Sequence, residues 1–242
     1  MWPIFHKFGS PRWFYQISSR FLPYLAFVSL ALLMVGSVWG LAFAPMDFKQ
    51  GNSFRIIYVH VPTAFIALAG YYIMALAGAI TLIWRMKMAE IVLRVSAPIG
   101  AAMTFIALFT GAVWGKPTWG TWWVWDARIT SMLILFFLYL GVMALASAYQ
   151  RDELGSKAAA ILALVGTVNI PIIYKSVDWW YSLHQPATLK LTEKSPIHPD
   201  MLWPLLVMIA GIYLFYTLVL VLSARAEILR REQRSQWVQD LL

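Results

Sequence analysis

"YVHVPTAFIALAGYYIMALAGAITLIW", residues 58–84, runs for 27 positions without an Asp, Glu, Lys or Arg. A helix of about 20 apolar residues crosses a ~30 Å hydrocarbon core, so this stretch is read as a membrane span. Five further apolar stretches, near 21–44, 91–113, 129–149, 158–175 and 201–223, are read the same way. The fifth is short and contains Asn169-Ile170-Pro171, which predicts a kink near its end. In the first, Ala42-Phe43-Ala44 resembles a signal cleavage site. The apolar run before it far exceeds a typical ~7–15-residue signal core, so the span is read as uncleaved. The expected fold class is all-α: a polytopic membrane protein with six transmembrane helices in a single domain over 1–242. Its tail, 224–242, is expected to continue as a helix into water.

Composition agrees. Hydrophobic residues make up 61% of the chain and charged residues only 12%, against roughly 25% charged in soluble domains. The net charge of +8 is better explained by cationic loops that hold spans in place than by a nucleic-acid patch. The absence of cysteine excludes disulfides, thiolate metal sites, thiol nucleophiles and covalent attachment through Cys-x-x-Cys-His. No internal repeat, low-complexity tract or second domain is visible.

With the N-terminus inside, twelve cationic residues lie on the inner side: Lys7, Arg12, Arg20, Arg85, Lys87, Arg94, Arg151, Lys157, Arg225, Arg230, Arg231 and Arg234. Seven lie outside: Lys49, Arg55, Lys116, Arg128, Lys175, Lys190 and Lys194. The positive-inside rule therefore predicts both termini in the cytoplasm. It places the first, third and fifth connections on the outer face, with His60, His184 and His198. Only His6 is inside.

The third connection is unusual. "WGKPTWGTWWVWDARIT", 114–130, holds five of the thirteen tryptophans. Trp119, Trp122 and Trp123 follow an i, i+3, i+4 spacing and would share one face of a short helix. Trp125 follows Trp122 by three, and Gly115, Pro117 and Gly120 would break the helix at its start. The expectation is a short interfacial segment lying flat at the outer surface. A ligand platform and an elaborate anchor fit it equally. Trp2, Trp13, Trp39, Trp84, Trp203 and Trp237 read as interfacial belt residues, and Trp179 and Trp180 can be read so too. Asp126 suits an N-cap of the fourth span. Arg128 is placed to snorkel, to pair with Asp126 or to meet an acidic ligand group, and Arg55 to meet such a group as well.

Imidazole ligates haem iron well, and two opposed imidazoles must come from separate segments. His60, with Pro62 suited to the first helical turn, and a histidine of the fifth connection meet that demand. Spacing leaves His184 and His198 both open. Zinc needs three or four ligands, and no close His/Glu spacing supplies them. Serine-nucleophile motifs, phosphate-cradling Gly-Lys-Ser/Thr loops and a mid-span ionisable residue are also absent.

"HVP" at 60–62, the strip at 114–130 and "NIPIIYKSVDWWYSLHQ" at 169–185 resemble the haem-handling membrane proteins of cytochrome c biogenesis. Within these, the CcmC family is similar across essentially the whole chain. The resemblance implies His60 and His184 as axial ligands of a transient, non-covalently held haem b. It implies Trp114, Trp119, Trp122, Trp123 and Trp125, with Asp126, as a haem platform over 114–128, and Arg128 and Arg55 at the charged edge of the porphyrin. It further implies the periplasmic side of a bacterial inner membrane, delivery to the haem chaperone CcmE, and work beside CcmD and the ABC transporter pair CcmA and CcmB. ATP hydrolysis would belong to that pair, and this chain would not be an enzyme. The expected site is shallow and lies between outer loops. A haem-b electron carrier, a haem channel and a non-catalytic scaffold are the rival readings.

Overall fold

The computed structural model describes residues 9–149, 152–185 and 197–241. Trp2, His6, Lys7, Arg151, Lys190 and Lys194, named above, lie outside the described residues. Helix α1 (Pro11–Val38) continues through a π-helical turn at Trp39–Phe43. A 3-10 turn at Asn52–Ile56 leads into α2 (Ile57–Trp84). There follow α3 (Lys87–Trp119), α4 (Ala127–Ser147), α5 (Asp152–Gly166), α6 (Asn169–Trp179), α7 (Pro199–Glu232) and the single turn α8 (Gln236–Gln239). Six helical stretches are long and apolar enough to cross a membrane, α5 and α6 together forming the fifth.

Lipid offers no hydrophobic drive between helices, so packing rests on small residues and on internal satisfaction of polar groups. The core lies among α2, α3, α4 and α5, with Ile170 and Ile173 of α6 and Met201, Leu205, Met208, Ile212 and Tyr216 of α7 packed into it. There Tyr139 is fully buried, donates its hydroxyl to the Ala67 carbonyl at 2.8 Å and meets Tyr71 edge-on at 5.0 Å. Gly100 makes room for it, since a Cβ at that position would collide with the Tyr139 ring. α1 packs chiefly against α7, with Gly36 against Met208. Thr63, Thr81 and Thr104 donate back to the carbonyls of Val59, Ala77 and Gly100 at 2.7–2.8 Å. No hydroxyl of these three is left to the cost of an unmade bond in hydrocarbon.

The expected kink is a full break. The helix stops at Gly166, turns through Thr167 and Val168, and restarts as α6 at Asn169. Pro171 has no N–H for the Thr167 carbonyl, which Ile170 N meets instead at 3.1 Å. Asn169 Nδ2 donates to Ser131 O of α4 at 2.9 Å and holds the break in place.

Three local expectations are corrected. The tryptophan strip is not a separate flat helix. α3 runs on through Gly115 and Pro117 to Trp119 and ends where Gly120 adopts φ 79°, its N–H bonded to Lys116 O at 3.1 Å. Residues 120–126 are non-helical, so Trp122 and Trp123 do not extend a helical face with Trp119. Pro62 lies in the second turn of α2, because helix begins at Ile57 after the 3-10 turn. The C-terminal segment is helical to Glu232 but is not simply hydrated. Ala224 and Ile228 bury against Met88 and Ile91 of α3, with Phe14 and Trp237 alongside.

Candidate functional site

His60, Val61, Ala64, Phe65 and Leu68 recur at helical spacing along one face of α2. They form one wall of a cavity of about 170 Å³. Ala107, Leu108, Gly111, Ala112 and Gly115 of α3 face them. Ile129 and Met132 of α4 and Ile173 and Tyr174 of α6 close the side, and Trp119, Trp122 and Trp123 close the mouth. From His60 to Leu68 the wall descends about 12 Å at 1.5 Å per residue. The site is therefore deeper than the surface hollow expected, and helix faces rather than loops make most of it.

His60 points into this space from one turn inside α2. Its Nδ1 lies 3.0 Å from the Ala107 carbonyl and 3.1 Å from Thr110 Oγ1. A carbonyl only accepts, so Nδ1 carries the proton and Nε2 keeps its lone pair. Gly111 makes room for the ring: a Cβ there would stand 3.0 Å from His60 Cε1. The same logic applies to His184, whose Nδ1 donates to the Gln185 carbonyl at 2.9 Å. Neither Nε2 has a hydrogen-bond partner among the described residues. Burial lowers the His184 pKa below the ordinary histidine value, opposed by the bond to Gln185 and assisted by the nearby Arg128 charge. The neutral form is thereby favoured.

The two imidazole centroids are 6.3 Å apart, inclined at 36°. A metal between two imidazoles, about 2 Å from each nitrogen, sets the ring centroids about 6 Å apart. The pair thus fits a single iron. Among the described residues no group of three or more His, Cys, Asp or Glu side chains forms a ligand set of the kind zinc requires.

The strip divides. Trp114 lines the cavity, meets His60 edge-on at 5.7 Å and donates Nε1 to Gln50 Oε1 at 2.6 Å. Trp119 packs beside His184 at 6.1 Å. Trp122 and Trp123 line the mouth, and the buried Trp123 Nε1 has no acceptor. Trp125 is 74% exposed and touches the site only through Trp123, at 5.4 Å. Asp126 is buried but does not line the cavity. Its Oδ1 caps α4 at Ile129 N (2.8 Å), and its Oδ2 accepts from the Ser182 hydroxyl. Arg128 lines the cavity and reaches α6, with Nε to Ser176 Oγ at 3.0 Å and Nη2 to Tyr174 O at 3.1 Å. Arg55 is not part of the wall. Its amines bond the Leu41 and Ala44 carbonyls at 2.7 and 2.9 Å and bind the end of the first span to the start of the second.

Of the two loop histidines, His184 meets His60. His198 is the exposed N-cap of α7, its Nδ1 facing Asp200 N at 3.4 Å. The residues that the spacing did not reveal are those holding the two imidazoles and Trp114: Thr110, Gly111, Gln50, Ser182 and the carbonyls of Ala107 and Gln185. In the sequence Thr110 and Gly111 are ordinary members of an apolar span. Only Ser182, two residues before His184, carries a local sign, as serines form short side-chain turns.

Residues 4–239 match the family described as "Heme exporter protein C". A "Heme exporter protein C" of Haemophilus influenzae is 48% identical over 241 residues, covering 100% of this chain and 98% of that protein. One of Escherichia coli K12 is 49% identical over 242 residues, with the same coverage. One of Bradyrhizobium diazoefficiens is 45% identical over 227 residues, covering 94% of this chain and 86% of that protein.

Proposed function

The chain belongs to the Heme exporter protein C family, and on that premise we propose that it handles haem in cytochrome c biogenesis, holding haem b transiently between His60 and His184. One observation carries this reading. Two half-buried imidazoles, each with Nδ1 tied to a carbonyl and Nε2 without a partner among the described residues, stand 6.3 Å apart at the wall of one aromatic cavity.

The cavity volume supports transfer rather than storage. About 170 Å³ is near the ~150 Å³ that encloses one benzene, so a porphyrin whose iron lies between the two imidazoles is only partly enclosed. Trp114, Trp119, Trp122 and Trp123 cover apolar porphyrin surface at about 25 cal/mol per Å². Trp123 Nε1 and Arg128 offer donors to its polar edge. Retention must stay moderate, because each ~1.4 kcal/mol slows hand-over about tenfold. The acceptor is the haem chaperone CcmE, on the periplasmic face of the inner membrane, with both termini of this chain cytoplasmic. CcmD and the CcmA–CcmB transporter work alongside, and ATP is hydrolysed there. A haem channel through the bundle finds less support. The cavity wall on α2 ends at Leu68, and the buried Tyr71 and Tyr139 pack around the next turn.

The test is an absorption spectrum of purified protein with added haem. The native chain gives a low-spin bis-imidazole spectrum, and His60→Ala with His184→Ala removes it. Each single variant regains it with free imidazole. A double variant that keeps the native spectrum overturns the assignment.

A further inference from the structure

We propose that Asp126 and Ser182 form a positioning relay for His184, so that the acidic residue of the tryptophan strip acts through the histidine and not on the cargo. The inference rests on the reading of His184 as an iron ligand given above.

The segment after α6 has little apolar anchorage of its own. Tyr181 is 88% exposed, and Trp180 and Leu183 are exposed as well. Polar ties hold it instead. Asp126 is fixed at the N-terminus of α4, where Oδ1 caps Ile129 N at 2.8 Å and the helix end favours a negative charge. Its second oxygen accepts the Ser182 hydroxyl, and that hydroxyl oxygen accepts the His184 backbone N–H at 3.0 Å. The carboxylate thus reaches the imidazole's own backbone through one side chain. Arg128, two residues along, holds α6 at Tyr174 and Ser176. The stretch that carries His184 is therefore clamped twice from the first turn of α4. Residues behind a ligand decide whether it meets its metal, because the geometry must hold to about 0.5 Å.

Four variants of the full chain test this: Ser182→Ala, Ser182→Thr, Asp126→Ala and Asp126→Asn. Ser182→Ala breaks only the relay. Asp126→Ala breaks the relay and the helix cap. Ser182→Thr and Asp126→Asn keep polar bridges. The expected results for Ser182→Ala and Asp126→Ala are about tenfold weaker haem retention, loss of low-spin character and recovery with free imidazole. Ser182→Thr and Asp126→Asn stay near native. In the haem-free protein the His184 amide exchanges with deuterium about tenfold or more faster in Ser182→Ala. These sizes follow from losing one hydrogen-bonded link. If Asp126→Asn is as damaging as Asp126→Ala while Ser182→Ala is silent, Asp126 meets the cargo by its charge and the relay is overturned. A native exchange rate in Ser182→Ala overturns the relay alone. An unchanged spectrum in His184→Ala overturns the ligand reading itself, and with it the relay's purpose.

Discussion

The two ends of the helical bundle handle polar atoms in opposite ways. At the terminal end, charged groups are turned on one another. Glu90 accepts from Ser156 at 2.7 Å and from Arg231 at 3.0 Å, and Glu227 accepts from both Arg230 and Arg231. Arg225 lies 3.7 Å from the Tyr15 ring centroid and bonds that residue's carbonyl at 2.7 Å. At the other end, polar groups are held in place and left open. His60 and His184 are fixed by one ring nitrogen and idle at the other, and Trp123 Nε1 is buried without an acceptor. That ion network ties helices together, although the buried Nη2 of Arg231 has no acceptor. Oriented groups without partners among the described residues are what the proposed haem site would use. A buried polar atom left unbonded is costly, and among those of the described residues Trp123 Nε1 is the one that lines the cavity.

The sharpest break of that contrast is Trp119→Ala. It removes the indole beside His184 and should weaken haem retention about ten- to hundredfold, while thermal stability changes little. Titration against haem by absorption checks it. Glu90→Gln strikes the other end. It should cost about 1–3 kcal/mol of stability and leave the haem spectrum native. Unfolding in detergent reads the first half and the spectrum the second. If Glu90→Gln alters the spectrum, the two ends are coupled and the contrast fails.

A pH titration sharpens the comparison further. Burial depresses the His184 pKa below the ordinary 6.5, so in the haem-free protein its ring should titrate below that value by NMR. The sign follows from linkage. Between the depressed and ordinary values the unfolded chain holds a proton at this site that the folded chain lacks. The contribution to stability is therefore intact above 6.5 and is lost as pH falls through the window beneath it. A midpoint at or above 6.5 would mean that His184 is hydrated. The smallest effect is expected of Arg55→Ala. It loses the bonds to Leu41 and Ala44, costing about 1 kcal/mol of stability, with haem affinity unchanged within about twofold.

Much of the fold was readable in advance because a bilayer leaves few solutions. Long apolar runs must be helices, and the six found among the described residues agree with the six expected in order and, within about ten residues, in place. Asn169-Ile170-Pro171 predicted a kink, and the helix is interrupted just before it, at Thr167 and Val168. The strip misled where helical spacing was extended past Gly120. A left-handed residue ends a helix whatever the periodicity beyond it, and the spacing of Trp119, Trp122 and Trp123 carried no information once the backbone turned. Arg55 and Arg128 were indistinguishable as isolated cations. Only the packing of α1 against the start of α2, and of α4 against α6, separated the one that lines the cavity from the one that does not.

By itself the sequence determined the membrane class, the number of spans and the short set of side chains able to meet iron. Composition and apolar run length act locally, and no neighbour can reverse them. The tertiary structure alone decided that His184 and not His198 faces His60, that Asp126 supports a loop, and that a cavity runs down between α2 and α3. Those outcomes depend on distances between segments far apart in the chain, which local spacing does not encode.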